Sequence, residues 1–403
     1  MARGGSAREV FAAFLKLGLT SFGGPIAHIG YFRREFVERR RWIDEAEFGR
    51  LLALCQFLPG PASSQMGFSL GLLRAGCLGA LAALAAFTLP SAVLLFAFAA
   101  LLPYLAGATG QAALHGLKLV AVAVVAQAVV GMARQLCPDA PRASIAAMAA
   151  AVILAVAQPW TQVVVVMAGA IAGLLVCRSV VPPPPGSGMH VPYGVGFGVV
   201  LLVAFAVLLL ALPIAAHVWP GLLSVVEAFY RAGALVFGGG HVVLPLLRES
   251  IVTPGWVSSD DFLAGYGAAQ AVPGPLFTLS AYLGARLPGA QGGLPGASIA
   301  LVAIFLPGFL LVAGALPLWR SIGHTPVTAR AVAGVNAAVV GLLAAALYDP
   351  VWTAGVRTPL DVAIAAIGFT LLVAWRASAL VVVVWCVTAA VALSVATIAP
   401  RPA

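Results

Sequence analysis

The chain has 403 residues, of which 62% are hydrophobic and only 9% are charged. A soluble domain carries roughly a quarter charged residues, so the composition excludes a soluble protein and predicts an all-α polytopic membrane protein. The 22 lysines and arginines outnumber the 13 aspartates and glutamates, and bases rather than acids, with Glu227 as the exception, lie in or beside the apolar runs, which favours an anion over a cation as ligand.

Apolar runs predict helices near 8–21, 44–56, 62–75, 78–102, 115–136, 144–158 and 160–177, with counterparts in the second half. Two kinds of break interrupt them. Phe22-Gly23-Gly24 follows the first helix, and QFLPGP at 56–61 ends the next one because proline lacks the N–H that a helix needs. A full span needs about 20 apolar residues and some of these runs are shorter, so we expect roughly ten to thirteen crossings.

Four blocks of the first half recur in the second half in the same order. QFLPGP at 56–61 returns as QAVPGP at 270–275, an offset of 214 (270 − 56). At nearly the same offset, FLKLGLTSFGGP matches FYRAGALVFGGG, FTLP matches IFLP, and HGLKLVAVAVV matches AGVNAAVVGLL. We therefore predict two repeats, residues 1–179 and 221–403, separated by residues 180–220, which hold a proline-rich linker and one extra transmembrane helix near 193–216.

The distribution of basic residues between the halves predicts that the two repeats have inverted topology. Segment 31–50, taken as a loop, has six arginines, whereas its counterpart 248–262 has only Arg248. The bias reverses at 103–114, which has no base, and its counterpart 320–331, which has two. Because short cytoplasmic loops are enriched in lysine and arginine, we expect segment 31–50 to be cytoplasmic. Secondary transporters commonly combine inverted repeats with broken helices around a central site.

The two Phe-Gly-Gly triplets are candidate anion sites. Glycine permits positive φ, and a half-helix that starts there presents free N–H groups and the positive end of its dipole. Lys16 precedes Gly23 by seven residues, as Arg231 precedes Gly238, and that spacing is two helical turns. The alternative is a helix-packing glycine beside a base that reaches for the membrane surface.

The two Pro-Gly-Pro turns are the second pair of candidates. Each turn is followed by hydroxyl side chains, Ser63 and Ser64 in the first half and Thr278 and Ser280 in the second. Hydroxyl and free N–H groups can replace part of the hydration shell of an oxyanion, and a glutamine precedes each turn as a further amide donor. The alternative is a structural kink that neighbouring helices satisfy.

The remaining polar residues in apolar runs have a functional and a structural interpretation. Arg74 and Arg286 either face the site or anchor the helices at the membrane surface, and Lys118, whose repeat counterpart is Asn336, either binds the anion or snorkels. Three histidines, His28, His115 and His241, are candidate proton carriers or structural residues. The matched pairs Glu47/Asp261 and Trp42/Trp256 are typical of helix capping and interfacial anchoring.

Motifs for other classes of protein are absent from the sequence. It has no nucleotide-phosphate loop, HExxH, GxSxG or haem motif, and its five cysteines have no ligand spacing. We therefore expect no cofactor, no metal site, no enzyme activity and no nucleic-acid partner. The expected partners are an oxyanion and the lipid bilayer, and the oligomeric state is open, a homodimer included.

The segments FLKLGLTSFGGPIAHIGYFRREFV, RRWIDEAEFGRLLALCQFLPGP, VFGGGHVVLPLLRE, VPGPLFTLSAYLG and GVNAAVVGLLAAALYDPVW resemble the chromate ion transporter family, and in particular its long-chain, two-domain chromate efflux proteins. The resemblance implies a multi-pass protein of the inner membrane that exports cytoplasmic chromate and confers chromate resistance. One departure is Gly240, which stands where the first half has Pro25.

Residue patterns and resemblance together give one set of candidate substrate-binding residues: Lys16, Phe22, Gly23, Gly24, Pro25, Gln56, Pro59, Gly60, Pro61, Ser63, Lys118, Arg231, Phe237, Gly238, Gly239, Gly240, Gln270, Pro273, Gly274, Pro275 and Asn336. The favoured mechanism is alternating access driven by the membrane potential, the proton motive force or both.

Three alternatives to chromate export stay open at this stage. A carrier or channel for sulfate or another oxyanion has the same demands of charge and size. A membrane enzyme such as a chromate reductase would require a redox cofactor site or paired thiols, and the sequence has neither pattern. A scaffold or receptor without transport is disfavoured by the duplicated breaks and their bases.

Overall fold

The computed structural model describes residues 5–156, 158, 161–180, 191–237, 240–318 and 325–398, and every regular element among them is helical. The predicted all-α class is therefore confirmed. Helices are the expected solution because the hydrocarbon core of a bilayer offers no water to backbone N–H and C=O groups. Gly238, Gly239 and most of the proline-rich linker lie outside the described residues.

The described part of the chain up to residue 180 forms α1 (Ala7–Thr20), α2 (Gly24–Phe32), α3 (Glu45–Phe57), α4 (Ala62–Leu101), α5 (Ala108–Leu136), α6 (Ala140–Ala155) and α7 (Thr161–Val176). A π-helical segment, Arg33–Arg39, continues directly from α2. The prediction that 31–50 is a loop is therefore wrong over most of its length. Its arginines and glutamates pair with one another, as Arg33 does with Glu45 at 2.8 Å, which lets a charged segment be helical.

The second part forms α8 (Val195–Val218), α9 (Leu222–Ala234), α10 (Val243–Leu247), α11 (Ser259–Ala269), α12 (Leu279–Ala285), α13 (Gly293–Ala315), α14 (Pro326–Ala346), α15 (Thr353–Gly355), α16 (Pro359–Val373) and α17 (Ala379–Ile398). Helix α8 lies where the extra transmembrane helix was predicted. Asp44 and Ser258, which are repeat counterparts, cap α3 and α11 by accepting backbone N–H groups at 2.7 and 3.1 Å. The matched acids Glu47 and Asp261 supply those N–H groups from the first turn of each helix.

Helix α4 contains a sharp reversal at Gly76, whose φ is 66°. A Cβ on Gly71 would collide with the backbone of Gly79, so these two residues are in contact. Eight residues of straight helix would separate them by about 12 Å, and the chain must therefore fold back between them. The same contact joins Gly284 of α12 to Gly296 of α13. The two separate helices predicted on either side of residue 76 agree with this arrangement.

Equivalent glycines mark equivalent packing in the two halves. A Cβ on Gly18 of α1 would lie 2.6 Å from the carbonyl oxygen of Ala86 in α4, and Gly233 of α9 is as close to the carbonyl oxygen of Ile304 in α13. Each repeat thus packs its first helix tightly on the helix that carries its F-x-L-P or I-F-L-P motif. Small residues allow such close approach between membrane helices.

The two halves are interlocked rather than side by side. Helices α6 and α7 of the first half pack on α14 of the second half, where Gly173 contacts Gly334. Helix α5 packs on α11, where Gly267 contacts the carbonyl of Leu117, and on α17. The larger hydrophobic core accordingly draws residues from both halves.

Six described helical segments are long and apolar enough to cross a membrane: Ala62–Leu105, Ala108–Leu136, Val195–Val218, Gly293–Leu318, Pro326–Gly355 and Ala379–Ala396. Four shorter apolar helices of 10–17 residues accompany them among the described residues. The full-length segments are thus fewer than the ten to thirteen predicted crossings, because the breaks divide several apolar runs into pieces too short to span alone. The inverted orientation of the repeats and their boundaries at 179 and 221 stay predictions.

Candidate functional site

Each Pro-Gly-Pro turn is hydrogen-bonded to the opposite half of the chain. The Gly60 N–H donates to the carbonyl of Val236 at 2.7 Å, and the Gly274 N–H donates to the carbonyl of Ser21 at 3.0 Å. Val236 and Ser21 are the residues immediately before the two Phe-Gly-Gly triplets. The four predicted breaks are therefore joined in two pairs across the halves, and His28 links the pairs by contacting both Ser63 and Ser21. We call this region the central cluster.

The central cluster needs glycine at both turns. Gly60 and Gly274 have φ values of 121° and 107°, which residues with a Cβ rarely adopt. A Cβ on Gly60 would lie 3.0 Å from Cα of Gly308, and one on Gly274 would lie 2.8 Å from Oγ of Ser91. Gly308 and Ser91 follow the prolines of the matched I-F-L-P and F-T-L-P motifs, so the contact between turn and proline helix also crosses from half to half.

Helix α4 begins directly at the first turn and presents a helix N-terminus to the central cluster. Its first backbone bond runs from the Gln65 N–H to the Pro61 carbonyl at 2.9 Å. The N–H groups of Ala62, Ser63 and Ser64 therefore precede the helical ladder and carry the positive end of its dipole. In addition, Oγ of Ser64 has no hydrogen-bond partner although its side chain is only 4% exposed. Such a terminus with an unused buried donor suits an anionic oxygen.

Further buried donors without a hydrogen-bond partner occur on the elements that form the central cluster. They are the hydroxyls of Ser21, Thr88 and Ser280 and the side-chain amide nitrogen of Gln270. Among the described residues, no aspartate or glutamate side chain is hydrogen-bonded to either turn. A buried site with unused donors and without carboxylates favours an anion over a cation, because each free donor leaves a polar group unsatisfied until a ligand oxygen accepts it.

Two histidines also lie at the central cluster. His28 of α2 is fully buried, with Nε2 3.1 Å from the Ser21 carbonyl and Nδ1 3.4 Å from Oγ of Ser63. His241 has Nδ1 2.7 Å from the hydroxyl of Tyr266, and its Nε2 lies close to Gly24 at the start of α2. Sequence reasoning named both residues but had no means of bringing them together, because they do not coincide in the repeat.

Gln65 is the residue that sequence reasoning missed. Its amide nitrogen donates to the carbonyls of Pro59 at 2.9 Å and Gly308 at 3.0 Å, and the side chain is fully buried. Gln65 thereby ties the first turn to the opposite half. The repeat counterpart is Leu279, so the second turn has no equivalent tie. The available signal was an uncharged polar residue one helical turn after Pro-Gly-Pro inside an apolar run.

The three predicted bases are all in ion pairs. Lys16 lies 3.7 Å from Glu35, Lys118 lies 2.6 Å from Asp260, and Arg231 lies 2.6 Å from Glu227. Helix α1 ends at Thr20, so Lys16 and Gly23 do not share one helix face as the seven-residue spacing suggested. The Lys16 side chain is also 52% exposed.

Glu35 is the most heavily paired carboxylate of this set. Burial raises its pKa, but the hydrogen bond from Arg40 and the charges of Lys16, Arg40 and Arg39 outweigh that effect, so the pKa lies below its usual value. Lys16 therefore belongs to a charged cluster on segment 33–39, and its proposed contact with substrate stays a prediction.

The other predicted residues divide between the central cluster and the periphery. Pro61, Pro273, Pro275 and Gly240 are buried and Phe22, Phe237 and Pro59 are partly buried at the breaks, whereas Gln56 is exposed at the end of α3. Asn336 lies in α14 with a buried Oδ1 that lacks a hydrogen-bond partner. Arg74 and Arg286 pair with Glu9 and Asp261 at 3.1 and 2.9 Å, in keeping with anchoring. Pro25 follows Gly24 in the first turn of α2.

Comparison with known proteins adds an independent line of argument. A family model described as chromate transporter matches residues 8–174 and 223–393. The chain is 31% identical to a probable chromate transport protein of Synechococcus elongatus, over 85% of this chain and 84% of the relative. It is 31% identical to a chromate transport protein of Pseudomonas aeruginosa (85% and 80% covered) and 29% identical to one of Cupriavidus metallidurans (84% and 81% covered). No solved structure matches the chain.

Proposed function

The chain belongs to the chromate transporter family, and we propose that it exports chromate from the cytoplasm across the inner membrane and so confers chromate resistance. The proposed binding site is the central cluster, where the N-terminus of α4 and the buried hydroxyls supply the donors. The family match supports membrane transport as the activity. The direction of transport, the driving force and the site are our proposals.

One observation carries the site assignment, namely the reciprocal bonding of the two Pro-Gly-Pro turns to the opposite half. The bond from Gly60 to Val236 and the bond from Gly274 to Ser21 each join a Pro-Gly-Pro turn to the other half, and His28 connects the two pairs, which supports one shared site. Broken helices inside a membrane are tolerated where protein or a polar cavity satisfies them. A tetrahedral oxyanion has enough acceptor oxygens to engage several of the unused donors at once.

The membrane potential is sufficient as a driving force for export. Moving one elementary charge across 100 mV is worth about 2.3 kcal/mol, and in a cell that is negative inside this favours the exit of anions. A dianion that leaves alone gains about twice as much. Export of chromate therefore needs no nucleotide hydrolysis, in agreement with the absence of a phosphate-binding loop from the sequence.

We assign the conformational change to movement of the helix pair α1 and α4 relative to the pair α9 and α13 around the central cluster. Each pair is packed tightly within its own repeat, at Gly18 and at Gly233, whereas α5, α6 and α7 interlock with the second half and move with it. Alternating access in inverted-repeat transporters is commonly such a rigid-body movement around a fixed site. In this proposal Lys16, Lys118 and Arg231 attract or pass on the anion outside the central cluster, and exchange a carboxylate partner for it in transit.

Sulfate is the second candidate substrate, because it shares the tetrahedral shape and double negative charge of chromate and the donors of the central cluster suit both. The test is flux of radiolabelled chromate and sulfate into everted vesicles and liposomes that contain the purified protein, each with the other anion as competitor. We expect chromate to be transported and excess sulfate to compete with it. Transport of sulfate without any transport of chromate would replace the proposed substrate.

The site itself is tested by Ser64→Ala, with Ser298→Ala as the matched control. Ser298 is exposed on α13 and its hydroxyl bonds the carbonyl of Leu294 in its own helix. A hydrogen bond to a charged group is worth about 1.5–3 kcal/mol, so Ser64→Ala should raise the half-saturating chromate concentration roughly 10- to 100-fold. Equal kinetics for the two variants would contradict the assignment.

A further inference from the structure

The central cluster contains a histidine in a position to couple protons to the anion. We propose that His28 is a proton-binding site, so that an oxyanion dianion crosses the membrane together with one proton. The inference rests on the proposed function, since it concerns the stoichiometry of the same site. It distinguishes export of the dianion alone from export of the dianion together with a proton, which differ in the net charge that the membrane potential acts on.

His28 is hydrogen-bonded directly after the first turn and reaches the second turn through a shared carbonyl. Its Nδ1 is 3.4 Å from the hydroxyl of Ser63, which lies in the first turn of α4 directly after Pro-Gly-Pro. Its Nε2 is 3.1 Å from the carbonyl of Ser21, and the same carbonyl accepts the N–H of Gly274 in the second turn. The imidazole is fully buried and its edge faces the ring of Phe87 at 5.3 Å between centroids.

The hydrogen-bond pattern defines what a proton would change. In the neutral ring, Nε2–H donates to the Ser21 carbonyl, and Nδ1 accepts the hydroxyl hydrogen of Ser63. When Nδ1 takes up a proton, it must donate to the Ser63 oxygen instead. The hydroxyl hydrogen of Ser63 is then released to turn toward another acceptor, and an anion at the N-terminus of α4 is such an acceptor. Protonation thus adds one positive charge and one donor to the site.

Proton and anion binding therefore favour each other. A bound anion stabilises the positive imidazolium, and the imidazolium strengthens the binding of the anion by the same factor, because linkage between two binding sites is reciprocal. Carrier states with both ligands or with neither are favoured over states with one. Proton and anion then move in the same direction, and one net negative charge crosses per chromate.

Most of the charged side chains on the elements around His28 pair with one another, and Arg8 on α1 and Arg34 after α2 are exposed. On α1, Lys16 pairs with Glu35 and Glu9 pairs with Arg74 of α4. On the segment after α2, Arg33 pairs with Glu38 and Glu45, and Arg39 and Arg40 pair with Glu35. In the described part of the chain, the groups that face the His28 ring are the Ser21 carbonyl, the Ser63 hydroxyl and Phe87. Tyr31 lies about one turn further along α2. The other titratable groups at the central cluster are His241, whose Nε2 lies near Gly24 at the start of α2, and Tyr266, which is hydrogen-bonded to His241.

The experiment measures charge per transported anion. Liposomes with purified full-length protein are held at a set potassium diffusion potential, at a pH high enough for free chromate to be fully dianionic, and the chromate ratio across the membrane is read once net flux stops. For a given potential without a pH gradient, one net charge gives a ratio that is the square root of the ratio for two. We expect the one-charge ratio for the wild type, and a two-charge ratio would overturn the proposal.

His28→Gln tests the residue, with His217→Gln at the exposed end of α8 as control. Glutamine can donate to the Ser21 carbonyl and accept from Ser63 but cannot carry the proton. We expect His28→Gln to lose the response of flux to an imposed pH gradient and the control to keep it. A response of flux to the pH gradient that is unchanged in His28→Gln would contradict the assignment of the proton to His28.

A second measurement covers the case in which His28→Gln does not fold. With wild-type protein in weakly buffered detergent solution, chromate binding should be accompanied by uptake of about one proton per bound anion, read with a pH indicator, and Ser63→Ala should take up fewer. No proton uptake by wild-type protein that binds chromate would contradict the proposal. A wild-type protein that neither binds nor transports any tested oxyanion would instead refute the proposed function.

Discussion

The most direct test of the central cluster is the substitution Gly60→Ala. The backbone of residue 60 has a φ of 121°, and a Cβ there would lie 2.8 Å from the amide nitrogen of Gln65 and 3.0 Å from Cα of Gly308. Favourable contacts between such atoms begin near 3.5 Å, so either the turn or the opposite helix must move. The Gln65 side chain can yield, but the backbone of Gly308 belongs to the proline helix of the other half.

The expected cost of Gly60→Ala follows from two contributions. Positive φ costs a residue with a Cβ roughly 1–2 kcal/mol, and overpacking in a well-packed interior costs roughly 1–3 kcal/mol. The sum, about 2–5 kcal/mol, is large compared with the ~1.4 kcal/mol that changes an equilibrium tenfold. We therefore expect chromate flux at low concentration to fall at least tenfold and the midpoint of thermal unfolding to decrease.

The matched control for this prediction is Gly49→Ala in α3, where no neighbouring atom lies within 4 Å of the added Cβ. Alanine in a helix interior is about 1 kcal/mol more favourable than glycine, so this variant should transport normally and be equally or more stable. Flux and thermal unfolding are measured on both purified variants in the same detergent and lipid. Wild-type behaviour of Gly60→Ala in both assays would refute the close approach between the turn and the opposite half.

Three further predictions concern other parts of the molecule. Gln65→Leu should destabilise the protein by about 1–3 kcal/mol and slow chromate flux, because two buried carbonyls lose their hydrogen-bond donor. Gln56→Leu, at an exposed position, is the control and should change neither stability nor flux when both variants are measured side by side. Because the pKa of Glu35 is lowered in the folded state, its stabilising contribution is present above the pKa of the unfolded chain and is lost as pH falls through the folded pKa, so Glu35→Gln should flatten the acid limb of stability measured against pH. Reporter proteins inserted at 40–44 and 253–258 should report opposite sides of the membrane, and the same side for both would overturn the inverted topology.

Local chemistry explains why much of the architecture was predictable. Hydropathy identified the apolar helices, and α8 lies within two residues of the predicted extra span. Proline lacks the backbone N–H that a helix needs, and glycine adopts positive φ without strain. The turns at 59–61 and 273–275 could therefore be predicted without knowing their surroundings. The same reasoning failed for 31–50, where many charges were taken as a loop although they pair with one another along helical segments.

The motifs of the candidate site could be predicted in this way, but the contacts between them could not. The repeat showed that two Phe-Gly-Gly and two Pro-Gly-Pro motifs exist, but contacts across about two hundred residues, such as Gly60 with Val236, depend on how the halves interlock. Ion pairs have the same dependence, since Lys16 reaches Glu35 only because the fold brings the segment 33–39 next to α1. Gln65 has no repeat counterpart, so the comparison of halves that revealed the turns could not reveal it.

The sequence by itself determined that this protein is an all-helical membrane protein with duplicated breaks, because hydropathy, proline and glycine act through the backbone within a few residues. Only the tertiary structure decided that each break bonds to the other half, that His28 lies between Ser63 and Ser21, and that Gln65 links the first turn to the other half. These are long-range contacts between groups that are individually unremarkable in the chain. Burial makes these contacts important, because a hydrogen-bond donor or an imidazole that is shielded from water needs a partner from whichever segment the fold brings next to it.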